Sequence, residues 1–433
     1  MSTRPALRVA VLGAGTVGGA VVRRMLERPA GLIPADGSPL ELVGVACRDL
    51  GRARAAGIPA DLLTDAPAHL VASPEVDVIV ELMGGDEPAR TLIAAALAAG
   101  KPVVTANKHV IAHHGPELEA IARRNDVALR FEAAVAGGIP VLSPLASDLA
   151  ANDVSRIRGI VNGTTNHILT AMTQEGRPYD DVLADAQRLG YAEADPSGDV
   201  EGDDAVNKLV ILARLGFGVW LDPDAIVRCP PTVRGTGKPG ITGVTELAIQ
   251  GASALGLTLK LLATATVGGE TVVGAVVPTA VPSGSPFGLT GGVWNQVEID
   301  AQPLGTIRLA GPGAGGPATG SAVLGDLLAI ARGGTSTWAG LPPAEDRAGH
   351  AAAASPLDPA RHWYASLPAI GPGGPAMPTV LDGTTSVLDG TTSVQVGDET
   401  AIRTASLTLA EVRAALARIL PDGVDITLYP IDD

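Results

Sequence analysis

The sequence predicts an α/β protein: a doubly wound parallel sheet at the N-terminus, a second α+β domain, and a small divergent α+β tail. Three observations carry this. Residues 7–135 alternate short apolar strands with helical stretches, the signature of a parallel sheet covered by helices on both faces. A glycine-rich turn directly follows the first strand. Beyond about residue 150 the alternation stops, and strands rich in Val and Thr run through 258–309, as expected of a mostly antiparallel sheet.

The elements follow in order. LRVAVLG (7–13) is a short buried strand, and TVGGAVVRRMLE (16–27) has helical spacing. LELVGVAC (40–47) and VDVIVELM (76–83) are the second and third strands. Helix 88–99 has Pro88 at its first turn and Gly100 past its end. KPVVTAN (101–107) and VALRFEAAV (127–135) are strands, with helix 116–124 between them. Helices are expected at 166–174, 179–189 and 203–216, and then at 321–331 after a second glycine turn, GPGAGG (311–316). This gives a dinucleotide-binding domain over 1–140 completed by 311–333, and a substrate and dimerisation domain over 141–310. A Gly/Pro/Ala linker at 334–360 and a tail over 361–433 complete the chain.

Composition narrows the function. The 433 residues carry a net charge of −15, which argues against sequence-independent nucleic-acid binding. Two cysteines, Cys47 and Cys229, exclude a disulfide scaffold and suit a reducing compartment. No apolar run is long enough to span a membrane, and MSTRPALRVAVLG enters a strand at once, so a cytoplasmic protein is expected. Only five of the 31 basic residues are Lys: Lys101, Lys108, Lys208, Lys238 and Lys260. Arg holds its proton near neutral pH whereas Lys can release it, so each Lys is a candidate for chemistry.

Gly13, Gly15 and Gly18, with Thr16 and Val17 between, complete a GxGxxG turn that opens a helix, the Rossmann fingerprint for a dinucleotide pyrophosphate. At the end of the second strand, Cys47-Arg48-Asp49 places an Arg where a 2′-phosphate would lie, which suits NADPH; NADH stays possible through Asp49. VVTANK sets Lys108 at the carboxyl edge of the sheet, where ligands bind in such folds. Residues 190–208, GYAEADPSGDVEGDDAVNK, hold six acids. Asp204 and Lys208 are four apart and share a helix face. Acids beside a Lys suit a substrate bearing an ammonium group: carboxylates grip the amine while the Lys moves a proton.

Taken together, GAGTVG, VVTANK, FEAAVAGGIPV (131–141), GIVNGTTNHIL (159–169), the acidic block and GPGAGG resemble homoserine dehydrogenase over roughly residues 7–332. The resemblance implies NAD(P)H-dependent reduction of L-aspartate 4-semialdehyde to L-homoserine by a homodimer. It implies Lys208 as proton donor and Lys108 as a second active-site lysine at the cofactor. It also implies substrate contacts from Glu193, Asp199 and Asp204, and cofactor contacts from Gly190, Glu193 and Gly315. The backbone carbonyls of Glu132, Val135, Gly137 and Ile139 match a monovalent cation site, for Na+ or K+. NGTTN (162–166) reads either as part of the substrate pocket or as a turn and helix cap. His167 is expected to be a packing or solvent-facing residue, and His109, His113 and His114 are too poor in partners for a metal site.

The tail departs from the family pattern of a regulatory βαββαβ domain: IGPGGPAMP (370–378) and a tandem LDGTTSV (381–394) stand where a particular turn is expected, so threonine feedback should be weak or absent. Two other readings remain at this stage. One is a different NAD(P)-dependent amino-acid or semialdehyde dehydrogenase, which in its acylating form needs a nucleophilic Cys. The other is a non-catalytic NADPH sensor.

Overall fold

The computed structural model describes residues 5–27, 38–268, 271–343, 355–368 and 390–433. These fall into two compact units, one built from 1–154, 210–223 and 300–349, the other from 155–209, 224–299 and 350–433.

In the first unit six strands form one parallel sheet: β1 (Leu7–Leu12), β2 (Leu40–Ala46), β3 (Leu63–Thr64), β4 (Val78–Glu81), β5 (Val103–Thr105) and β6 (Leu129–Arg130). Their order is β3-β2-β1-β4-β5-β6, all neighbours parallel. The chain reverses direction of travel between β1 and β4, which opens a crevice at the carboxyl ends of these strands. Val9, Val11, Val78 and Val80 are fully buried, because helices cover both faces of a parallel sheet. Helix Thr16–Glu27 packs against helix Gly316–Ala331, so a segment 300 residues downstream closes the unit. A Cβ at Gly316 would sit 2.8 Å from the Thr16 carbonyl, and only glycine allows that approach.

Several boundaries differ from the sequence reading; the helix expected over 321–331 begins at Gly316, and the one expected over 166–174 begins at Gly163 behind its Asn162 cap. The helix expected from Pro116 begins at Lys108 and runs to Arg124, because the Asn107 side chain caps it by accepting from the Val110 N–H at 3.2 Å. Pro116 is therefore interior. The strand expected over 127–135 stops at Arg130 and is followed by a 3-10 turn, Glu132–Ala134. The Glu132 carboxylate there accepts the N–H groups of Val141, Leu142 and Ser143 at 2.7–2.9 Å, capping the next short helix.

The second unit holds β7 (Asp153–Ile160), β8 (Leu257–Gly268), β9 (Thr271–Pro282) and β10 (Trp294–Gln302). β7 pairs antiparallel with β8, and β8 with β9 over their whole length; β10 lies beside β7. The chain then enters β11 (Gly305–Pro312). The tail adds β12 (Trp363–Leu367), β13 (Thr392–Val396), β14 (Glu399–Arg403) and β15 (Tyr429–Pro430), an antiparallel sheet in the order β13-β14-β12-β15. Helix Leu409–Ile419 links β14 to β15, which flank β12: a split βαβ. Trp363, Ala365, Ile402, Val412 and Leu416 form its core. IGPGGPAMP, the first LDGTTSV copy and the start of the second lie outside the described residues; the rest of the second copy enters β13.

Candidate active site

In the first unit the glycine turn sits at the carboxyl end of β1. Gly13 has φ +107°, and a Cβ there would lie 2.4 Å from the Leu82 carbonyl oxygen. A Cβ on Gly18 would strike the Gly13 carbonyl oxygen. A Cβ on Gly15 would meet nothing within 4 Å. The two outer glycines thus close strand on helix, and the middle one leaves open backbone for a ligand, the division of labour a pyrophosphate requires. Helix Thr16–Glu27 has no acid in its first turn to oppose a phosphate. Gly315, φ +108° and equally open, precedes helix Gly316–Ala331. These residues fit a dinucleotide.

At the end of β2 the Asp49 carboxylate is committed to helix Leu50–Ala55, accepting from the Arg52 N–H at 2.8 Å, while Arg48 is exposed beside it. Burial and the nearby Asp49 charge push the Cys47 thiol up, away from the thiolate that an acylating mechanism needs.

Sequence reasoning passed over Glu81. Its side chain is wholly buried at the end of β4, where it accepts from Thr105 Oγ1 at 2.6 Å and from the Met83 N–H at 2.7 Å. Burial, opposed by those hydrogen bonds, raises its pKa. It ties the end of β4 to the end of β5. Asn107, bonded to the Gly85 carbonyl at 2.8 Å, continues that tie into Lys108, the first residue of its helix. The one available signal was an acid inside an otherwise apolar strand. His109 and His113 stack at 4.3 Å, and His114 meets Asp86 at 2.8 Å; among the described residues no His, Cys, Asp or Glu cluster could hold a metal ion.

Around the expected cation loop, Ala136 and Gly137 both have positive φ, 55° and 59°, and a Cβ on Gly137 would lie 2.5 Å from the Gly313 carbonyl. Val135, Gly137 and Glu132 are buried, as is Ile139.

In the second unit the acidic block and the NGTTN turn come together. Asn162 precedes helix Gly163–Glu175 and does two jobs. Its Oδ1 caps the helix, accepting from the Thr165 N–H at 2.8 Å. Its Nδ2 donates to Asp199 Oδ1 at 2.7 Å and to Asp204 Oδ2 at 2.8 Å. The two readings of NGTTN are therefore compatible, because cap and carboxylate clamp use opposite ends of one amide. On helix Asp203–Phe217, Lys208 Nζ donates to Asp204 Oδ2 and to the Val161 carbonyl, both at 2.6 Å. The expected i,i+4 pair exists and is buried, with Lys208 8% exposed and Asp204 9%. Burial first, and the Asp204 charge second, raise the pKa of Asp199.

Two other predicted positions, Gly190 and Glu193, are exposed. Gly190, φ +77°, ends the turn after helix Tyr179–Arg188. The Glu193 side chain is exposed, and its carbonyl accepts from Gln187 at 3.1 Å. Thr164 donates to the Tyr191 carbonyl at 2.8 Å, and His167 packs edge-on to Tyr191 at 4.9 Å, a packing role.

Family models match as homoserine dehydrogenase over residues 140–328 and as the homoserine dehydrogenase NAD binding domain over residues 13–132. A homoserine dehydrogenase of Mycobacterium tuberculosis is 45% identical over 329 residues, covering 75% of this chain and 72% of the relative. One of Bacillus subtilis is 39% identical over 325 residues, covering 75% and 73%. The crystal structure of a homoserine dehydrogenase from Thiobacillus denitrificans, 34% identical, aligns over 100% of this chain and 99% of its own with a TM-score of 0.86. A hyperthermophilic archaeal homoserine dehydrogenase in complex with NADPH, 28% identical, aligns over 75% of this chain and 97% of its own with a TM-score of 0.62. Identity at this level over this much of both partners goes beyond a shared fold: the chain belongs to the homoserine dehydrogenase family.

Proposed function

We propose that this homoserine dehydrogenase works with NADPH in preference to NADH and uses Lys208 as its proton donor. The reaction is the interconversion of L-aspartate 4-semialdehyde and L-homoserine, a step towards threonine and methionine. The observation that carries the reading is the buried Asp204–Lys208 pair aligned by the Val161 carbonyl. Two acceptors at 2.6 Å hold the ammonium in place as donor to the oxygen on which negative charge grows.

When bound at the glycine turn, the reduced nicotinamide supplies the hydride. Asp204 and Asp199, linked through Asn162, grip the substrate, and Glu193 closes on its amino group. In the oxidative direction Lys208 takes the hydroxyl proton back. Lys108 orders the cofactor side, held by Asn107. The exposed Arg48, with Asp49 committed to a helix cap, supports a 2′-phosphate. The carbonyls of Glu132, Val135, Gly137 and Ile139 bind a structural Na+ or K+; the tight, positive-φ backbone at 136–137 supports that role. The enzyme acts as a cytoplasmic homodimer joined through its second domain, and its tail is a divergent regulatory module with little response to threonine.

The test is NADPH oxidation with L-aspartate 4-semialdehyde, NADH alongside, on the native enzyme and on Lys208→Ala. The expected result is a kcat lower by about 10³-fold with NADPH binding unchanged. Unaltered turnover in the variant overturns the assignment.

A further inference from the structure

Four of the five lysines have places: Lys108 and Lys208 in the site, Lys238 exposed, and Lys101 donating to the Val71 and Ser73 carbonyls at 2.7 and 2.5 Å, which closes helix Pro67–Ala72. Lys260 is unexplained. It lies mid-strand in β8, flanked by Leu259 and Leu261, and is 2% exposed. Its Nζ donates to Asn166 Oδ1 at 3.0 Å and to the Thr290 carbonyl at 2.7 Å, with Thr170 Oγ1 at 3.5 Å. Asn166 Nδ2 in turn donates to the Trp294 and Thr290 carbonyls at 3.1 and 3.3 Å. Both ends of the Asn166 amide are therefore clamped, one turn after Asn162.

We infer that Lys260 is a positioning residue for the substrate site, fixing the first turn of helix Gly163–Glu175 so that the Asn162 amide reaches Asp199 and Asp204 together. This rests on the proposed role of those acids in holding substrate. Apolar packing alone would let the helix turn or slide by a fraction of an ångström. Hydrogen bonds at both ends of one amide do not, and Asn162 must satisfy two carboxylates at 2.7 and 2.8 Å. The arrangement is also a poor way to build stability. An ammonium is buried against neutral oxygens; from Thr290 the hydrogen bonds lead on through Gln296 to Glu298, which is itself paired with Arg158. An aliphatic residue at 260 would pack without that penalty. Burial lowers the Lys260 pKa to about 8.

The experiment uses the full chain with Lys260→Met, which keeps volume and removes the donor. KM for L-homoserine and L-aspartate 4-semialdehyde should rise about tenfold, with kcat changed less than about threefold and NADPH affinity unchanged, the size of one lost positioning hydrogen bond. Asn166→Leu should show the same split, and the double variant should be no worse than either single one. Native KM values in folded Lys260→Met overturn the inference, as does an equal loss of NADPH affinity. Should Lys260→Met not fold, Asn166→Leu decides by the same measurements. Asn162→Ala separates the two failures: if it leaves KM untouched, the reading of the site falls; if it raises KM while Lys260→Met does not, only the role of Lys260 falls.

Discussion

The two lysines on either side of the NGTTN turn make an instructive pair. Lys208 and Lys260 are both buried and both donate to carbonyl oxygens, yet Lys208 also meets a carboxylate and Lys260 meets only neutral oxygens. An opposite charge at 2.6 Å holds an ammonium charged even without water. Without that partner, burial makes the proton easier to lose, and Lys260 titrates near 8. A lysine that must meet a substrate oxygen is aimed by the first environment. One that anchors a helix works in the second, since a neutral amine still donates to two acceptors.

The comparison breaks hardest at Asp204. Asp204→Ala removes the carboxylate paired with the buried Lys208 ammonium, which costs about 3–5 kcal/mol of stability. Denaturant unfolding reads the stability, and kcat should fall by about tenfold or more; unchanged turnover would show that the pair does not position the proton donor.

Next comes the pH dependence of stability at Lys260. The folded-state pKa lies below the ordinary 10.5, so below pH 8 the native state carries the full penalty of a buried charge. Between about 8 and 10.5 the unfolded chain binds the proton that the native state has released, and stability rises with pH. The penalty is on the order of 3 kcal/mol. Lys260→Met removes it and also loses two hydrogen bonds, an offset that does not depend on pH. Its stability relative to native should therefore be greatest at pH 7 and decline through pH 8–10. A constant difference across that range would mean that Lys260 is not titrating there.

The smallest effect is expected at Asn162. Asn162→Ala removes the cap of helix Gly163–Glu175 at about 1 kcal/mol, and it separates Asp199 from Asp204. Thermal unfolding reads the first and KM for L-homoserine the second. A change in melting temperature without a change in KM would reduce Asn162 to a cap and sink the reading of Asp199 and Asp204 as the substrate grip.

Local spacing made much of this visible. GAGTVG after LRVAVL needs only a strand, a turn and a helix in sequence, and the structure builds the turn as expected, with Gly15 open and its neighbours crowded. Asp204 and Lys208 are one helical turn apart, so their pairing is written in the count of four. The start of helix Lys108–Arg124 was missed because Pro116 looks like a first-turn residue, while the true cap, Asn107, lies in what reads as a strand end. Glu81 was missed because its partners, the Thr105 hydroxyl and the Met83 N–H, meet it only once β4 and β5 are paired.

By itself the sequence determined the dinucleotide turn, the helix bearing the acid–lysine pair, and the family. The first two are each encoded within about twenty consecutive residues, where backbone geometry leaves little choice, and the family in six such motifs spread over residues 7–332. Only the tertiary structure decided that Asn162 spans two carboxylates 37 and 42 residues away, that Lys260 reaches Asn166 across 94, and that β12 inserts between β14 and β15 in the tail. Such contacts join groups whose separation along the chain carries no periodic signal, so the packing that closes those distances had to be seen.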